Sequence, residues 1–367
     1  MTKHKTLNHI PSGILNASDY ESLAPNFISP ENLAYISGGS GFDKTLHLNR
    51  AIFSKYDIIP SVFSDVYNAT TKVNLLGEMI EHPFILAPLA YQTLVHHHGE
   101  KATAQASDAT DTLMVASTLS SFTMEDISKN INTNKWFQLY LQADFEDTLK
   151  LIRRAEACGY KAIVLTIDAT VQLPSRTAIN AGFTMPENLY PANLMDQNNY
   201  INEMANQQQS TIFQTFAQNQ ISKEIIKKVI DSTKLPVLIK GVLNSGDANS
   251  LKELGVRGII VSNHGGRTID GVPASLSMLP QIREAVGDEF CLLFDSGIRS
   301  GQDAFKAIAL GADAVLIGRL QVYALAVAGA LGVAHMIKLL RQELELSMAM
   351  TGTNCIKDIQ AILLQKG

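Results

Sequence analysis

Cysteine is scarce in this chain, and its three residues, Cys158, Cys291 and Cys355, stand far apart with no ligand-type spacing. Neither a disulfide framework nor a zinc site is indicated, no metal ligand set is expected, and a reducing compartment fits best. Basic charge is not in excess: 30 Lys and Arg against 35 Asp and Glu leave a formal net charge of -5 and a pI near 6.0. Such a surface has no field to draw nucleic acid or anionic lipid, so neither is an expected partner. No apolar run reaches the roughly eighteen residues that a membrane-spanning helix needs. The nearest, Leu320 to Ala334, reads as a buried helix whose Ala324, Ala326, Ala328 and Gly329 let it pack closely on a sheet. Met1 to Tyr20 lacks the apolar centre of a signal peptide, and Gln365-Lys366-Gly367 is not a peroxisomal address, so a cytoplasmic location is expected.

Apolar residues are plentiful at 46% of 367 positions, enough to bury a large core. One barrel domain of about 250 residues plus insertions absorbs that length, so residues 1–367 read as a single domain. Eight short apolar runs recur with helical stretches between them: Phe84 to Ala87, Thr112 to Val115, Trp136 to Leu139, Ala162 to Leu165, Pro236 to Ile239, Gly258 to Val261, Phe290 to Leu293 and Ala314 to Ile317. Eight such strands, each bounded by glycine, proline or a polar residue, predict a closed (β/α)8 TIM barrel over an open doubly wound sheet. Ser18 to Ile80 is expected to be an amino-terminal helical segment that covers the barrel's bottom and contributes Tyr35. The interval from Leu165 to Val237 is longer than one crossover needs, and its Asn- and Gln-rich part predicts a polar lid insertion after strand 4, about residues 183–220, or else a solvated surface loop.

Ser262-Asn263-His264-Gly265-Gly266-Arg267 carries the sharpest chemistry, because a histidine and an arginine emerge three residues apart from the carboxyl end of a buried strand. Histidine takes a proton near neutral pH, and arginine grips a carboxylate with two parallel hydrogen bonds. The pair suits a small acid that must lose a proton. Glycine turns followed by arginine, Asp295-Ser296-Gly297-Ile298-Arg299 and Gly318-Arg319, come after the seventh and eighth strands, where barrels usually hold phosphate. Lys240 ends an otherwise apolar strand and needs an anionic partner there.

Together with Tyr35-Ile36-Ser37-Gly38-Gly39, these segments resemble the FMN-dependent α-hydroxy-acid oxidases and dehydrogenases, the family that includes glycolate oxidase, lactate oxidase and flavocytochrome b2. The resemblance implies oxidation of an L-2-hydroxy acid to the 2-keto acid by FMN, with the flavin reoxidised by O2 to give H2O2. The alternatives are a dehydrogenase passing electrons to a quinone or protein acceptor, or an FMN-binding barrel with a different or lost activity. It also implies a homo-oligomer, tetramer or octamer. By the same resemblance His264 is the base, Asp168 its partner, Arg267 and Tyr35 the carboxylate ligands, and Tyr140 the partner of the substrate oxygen. Lys240, Gln138, Thr166, Ser117 and Ser262 would serve the flavin, with the backbone of Pro88-Leu89-Ala90 along its face. Asp295 would bind the ribityl chain, and Gly297, Arg299, Gly318 and Arg319 the phosphate. FMN is expected over FAD, because no Gly-x-Gly-x-x-Gly fingerprint follows the first strand. Arg176, expected as a second carboxylate ligand, follows Asp168 at a spacing that needs a compensating insertion and deletion. Thr268 stands where glutamine is common, and Leu119 stands where a Trp or Tyr often faces the substrate, leaving a less bulky wall for side chains longer than glycolate's.

Overall fold

A computed structural model of the protein describes residues 5–62, 65–170, 174–195 and 221–366. Eight parallel strands close into a barrel: β1 (Phe84–Leu86), β2 (Leu113–Ser117), β3 (Lys135–Leu139), β4 (Ile163–Thr166), β5 (Val237–Val242), β6 (Gly258–Val261), β7 (Cys291–Asp295) and β8 (Ala314–Ile317), with β8 pairing back onto β1. These are the eight runs the sequence marks, with ends shifted by at most three residues. Crossover helices follow in turn: α1 (Gly99–Ala109), α2 (Met124–Ser128), α3 (Phe145–Ala157), α4 (Lys223–Asp231), α5 (Ser245–Leu254), α6 (Ser275–Val286), α7 (Gly301–Ala309) and α8 (Arg319–Thr351). Side-chain oxygens start several of them; Asn244 accepts from Gly246 and Asp247 N–H at α5, and Ser300 from Asp303 N–H at α7.

Strand pleating divides the core in two. Ile85, Leu113, Val115, Trp136, Val164, Leu238, Ile260, Leu293 and Leu316 fill the barrel interior, while their neighbours Leu86, Met114, Phe137, Leu165, Ile239, Val261, Phe294 and Ile317 face the helices. Each such buried aliphatic or aromatic side chain contributes about 1.5–3 kcal/mol. The interior can therefore carry a layer of polar groups at one end.

The amino-terminal segment divides its work differently from the sequence expectation. Helices occupy Asp19–Leu23, Pro30–Ser37 and Lys44–Ala51, but between Asp57 and Ile80 no helix occurs among the described residues, and Val73–Leu75 pairs to Glu78–Ile80 in a hairpin. Leu75 and Ile80 of that hairpin join the interior apolar cluster at the amino ends of the strands, so the hairpin closes the bottom. The helices sit at the opposite end, where Tyr35 and Gly38 carbonyls meet Arg267. Helix α8 also runs on past Ala334 to Thr351, with a break at Ala328 and Gly329, the latter at φ 58°. It is the one helix among the described residues long and apolar enough to cross a membrane, yet 78% of its most apolar window is buried inside the fold. Of the expected lid, residues 183–195 are described, with a short turn at Ala192–Leu194; the remaining 196–220 lie outside the described residues.

Candidate active site

The site grows out of the barrel's pleat. In β2 to β7 the inward positions next above the apolar interior are Ser117, Gln138, Thr166, Lys240, Ser262 and Asp295, all buried. Strand register sets them side by side, Ser117 opposite Gln138 and Thr166 opposite Lys240. Two residues further along the same strands come Leu119, Tyr140, Asp168 and His264. Above this polar layer a cavity of about 1230 Å³, counted to its open mouth, is lined by Tyr35, Pro88, Leu89, Ala90, Ser117, Leu119, Tyr140, Lys240, His264, Arg267, Asp295, Gly297, Arg299, Gly318 and Arg319.

After β6 the backbone turns left-handed at three successive residues, His264 (φ 58°), Gly265 (φ 64°) and Gly266 (φ 77°). A side chain at Gly265 would meet Arg319 Nη1 at 2.8 Å, and one at Gly266 would meet the Leu46 backbone at 2.7 Å, so both glycines are required by close approach as well as by φ. The non-glycine His264 is held there by its N–H, which donates to Ser262 Oγ (3.0 Å), and by its ring, whose Nδ1 lies 2.9 Å from Asp168 Oδ1. Asp168 in turn packs against Gly241, at φ 104°, where a Cβ would stand 2.4 Å from the Asp168 Cγ. Arg267 Nη1 donates to the carbonyls of Tyr35 (2.7 Å) and Gly38 (3.0 Å), and its guanidinium lies over the Tyr35 ring. Tyr35 itself stacks on Phe183, ring centroids 4.3 Å apart.

Lys240 is 3.1 Å from Asp295 Oδ2 and donates to Ser262 Oγ, which donates to the same Asp295 oxygen at 2.6 Å. Burial alone would pull the lysine's pKa down, but the carboxylates of Asp295 and Asp168 outweigh it and raise it, so the ammonium stays charged. Burial likewise pushes Asp168 up, and the opposing pull of His264 and Lys240 brings it below the usual carboxylate range. Arg299 forms a two-pronged pair with Glu21 (2.6 and 3.0 Å). Among the described residues Arg319 donates only to backbone carbonyls, those of Ile36, Gly38 and Gly265, and burial together with neighbouring Arg267 lowers it to about 10, still cationic at neutral pH.

Gln138, Thr166, Ser262 and Asp168 stand just behind the cavity wall. Arg176 is exposed, with its guanidinium 4.4 Å from the centre of the Phe42 ring, and is not among the described residues that line the cavity. It opens the helix Arg176–Asn180, whose Ser175 cap accepts from Ala178 N–H. Cavity residues that the sequence did not single out include Ile36, Ser296 (φ 101°) and Val322, and, one step removed, Glu21 and Gly241. Only the positive-φ glycine next to Lys240 left a trace in the sequence, as a glycine inside an otherwise strand-like run.

A closed parallel barrel that sets a histidine–carboxylate pair, an arginine and a buried lysine at the carboxyl ends of its strands defines a barrel oxidoreductase acting on small acids. The FMN-dependent dehydrogenase model matches residues 24–366, and the chain belongs to that family. It is 51% identical over 352 residues to an L-lactate oxidase of Alicycliphilus denitrificans, covering 96% of each chain. It is 37% identical to glycolate oxidase 3 of Oryza sativa subsp. japonica, covering 94% and 95%. A crystal structure of mandelate oxidase with benzoyl-formic acid superposes with a TM-score of 0.87 at 35% identity, covering 96% of this chain and 99% of that one. The protein is thus an FMN-dependent enzyme that oxidises L-2-hydroxy acids.

Proposed function

We propose that the enzyme oxidises L-lactate to pyruvate and hands the electrons to O2, releasing H2O2. Identity of 51% with an L-lactate oxidase along nearly the whole chain supports lactate and O2, and the Leu119 wall leaves room for the substrate methyl. One observation carries the chemistry: His264 Nδ1 held 2.9 Å from Asp168 Oδ1, with Arg267 lining the same cavity.

Converting the hydroxy acid to the keto acid removes the Cα–H and O–H hydrogens, two electrons and two protons in all. With its Nδ1 proton directed at Asp168, the imidazole keeps Nε2 free to accept one of those protons. The ionised Asp168 then stabilises the imidazolium that forms. Arg267, pinned through Nη1, holds the substrate carboxylate, with Tyr35 beside it, and Tyr140 donates to the substrate oxygen. Bound FMN supplies the two-electron acceptor. The residues present fit it. Gln138 Nε2 and Thr166 Oγ1 are buried without a hydrogen-bond partner among the described residues, so the polar layer has unmet capacity for a heteroaromatic edge. A Cβ at Gly318 would meet nothing within 4 Å, leaving space beside the cationic Arg319 for a phosphate. Lys240 is the cation that favours negative charge on a reduced ring. Cytoplasmic location and a homotetramer complete the proposal; exposed Leu331, Leu346 and Met350 along α8 support self-association.

Anaerobic mixing of the yellow protein with a panel of 2-hydroxy acids, followed by air, tests this reading. L-lactate should bleach the flavin and air should restore it with formation of H2O2. Bleaching by glycolate alone, or colour that returns only with a quinone, would refute the proposed substrate or acceptor.

A further inference from the structure

Glu100 lies at the start of α1, is fully buried, and takes no part in the chemistry above. Its Oε1 accepts two backbone hydrogen bonds, from Gln92 N–H and Ser121 N–H, each at 3.0 Å. Those two residues belong to different loops, the β1–α1 loop and the β2–α2 loop. The loops are also joined directly: Tyr91 N–H donates to the Leu119 carbonyl (3.2 Å), and the Thr93 hydroxyl donates to Ser121 Oγ (2.8 Å). Tyr91, next to Gln92, and Leu119, two residues before Ser121, both line the cavity. Tyr91 is moreover held at φ 54°, a backbone state that a bulky residue keeps only when its surroundings dictate it.

We infer that Glu100 is the positioning residue that sets the wall against which the substrate's side chain packs, by clamping the Tyr91 and Leu119 loops to each other. The inference rests on the reading of this cavity as the 2-hydroxy-acid site. The other carboxyl oxygen, Oε2, is buried with no hydrogen-bond partner among the described residues, and burial raises the group's pKa. Both N–H groups meet the single oxygen Oε1, so an amide whose carbonyl oxygen takes that place keeps both contacts. Removing the acceptor orphans two buried N–H donors and releases both loops, which changes the fit of the substrate's side chain without touching Lys240, His264 or the phosphate end.

The FMN-loaded enzyme and its Glu100→Gln, Glu100→Asp and Glu100→Ala variants are compared for kcat and KM with L-lactate and L-2-hydroxybutyrate, and for FMN dissociation constant by flavin fluorescence. Glu100→Gln should stay within about twofold of wild type. Glu100→Asp, one methylene too short to reach both donors, should raise KM for lactate about fivefold or more and shift the ratio of kcat/KM between the two acids by a similar factor, with FMN affinity and saturating kcat largely kept. Glu100→Ala should do the same more strongly; if it does not fold, Glu100→Asp and Glu100→Gln decide. Unchanged KM and substrate ratio in Glu100→Asp, with only a lower Tm, overturns the inference, as does a Glu100→Gln variant as impaired as Glu100→Asp. Failure of wild type to oxidise either acid would instead strike at the reading of the cavity.

Discussion

Gly241 supports the catalytic pair from behind, and adding a single methyl group there tests how much that support matters. In Gly241→Ala the new Cβ would stand 2.4 Å from the Asp168 Cγ, 2.5 Å from its Cβ and 2.8 Å from Oδ1. Carbon atoms rest at about 3.5–4.0 Å, so Asp168 must retreat by roughly 1 Å or more. Its 2.9 Å contact with His264 Nδ1 cannot survive that movement as a hydrogen bond. The alanine must also adopt φ 104°, which costs about 1–2 kcal/mol in a non-glycine residue. A domain stable by about 5–15 kcal/mol tolerates that strain. The reaction does not tolerate the loss of its oriented base: the rate of flavin reduction by L-lactate should fall by about 100-fold, roughly 2.7 kcal/mol at 1.36 kcal/mol per decade. Rapid-mixing absorbance under anaerobic conditions reads the rate, and FMN content reads the fold. Asp168→Asn should lose a comparable factor, and the double variant should lose little more than either single one, because both act through the same contact. A Gly241→Ala protein that melts lower yet reduces at the wild-type rate would show that the Asp168 contact does not govern the base.

Two further outcomes follow from the geometry. Arg267→Lys should lower kcat/KM for L-lactate by about 30-fold or more, because a point charge cannot reproduce a two-pronged grip, whereas Arg176→Lys, exposed against Phe42, should change it less than about twofold in the same steady-state assay. Burial would raise Glu21, but its hydrogen bond and ion pair with Arg299 win and lower its pKa. Its contribution to stability is therefore complete above the unfolded value of about 4.3 and is lost as pH falls through the lower folded value. Thermal melts between pH 6 and about pH 3 should fall more steeply for wild type than for Glu21→Gln, and parallel curves would contradict this.

Much of this molecule is legible in its residues because the barrel repeats one local rule. A buried strand flanked by turn residues was visible eight times. Given the pleat, an inward Leu238 implies an inward Lys240, just as Leu293 implies Asp295. His264-Gly265-Gly266-Arg267 announced itself because glycines mark left-handed backbone and the two side chains have few bland uses together. What escaped depends on partners far away in sequence. Arg299 meets Glu21 278 residues earlier, and Glu100 acts on loops rather than on a motif. Gly241 matters only once Asp168, from another strand, is folded against it. The misplacement of the amino-terminal segment has the same origin: Val73–Leu75 and Glu78–Ile80 are too short for a hydrophobic period to tell strand from helix, and only the tertiary fold says which end of the barrel each element covers.

The central claim is that His264, oriented by Asp168, removes a proton from a 2-hydroxy acid held by Arg267. Its most direct test is the reduction of FMN-loaded wild type and His264→Gln by L-lactate without oxygen, followed by flavin absorbance as lactate concentration is raised. The account predicts that the variant binds FMN and saturates with lactate near the wild-type concentration while its limiting reduction rate drops by about 100-fold or more. A His264→Gln enzyme whose flavin is reduced within a few-fold of the wild-type rate would contradict it.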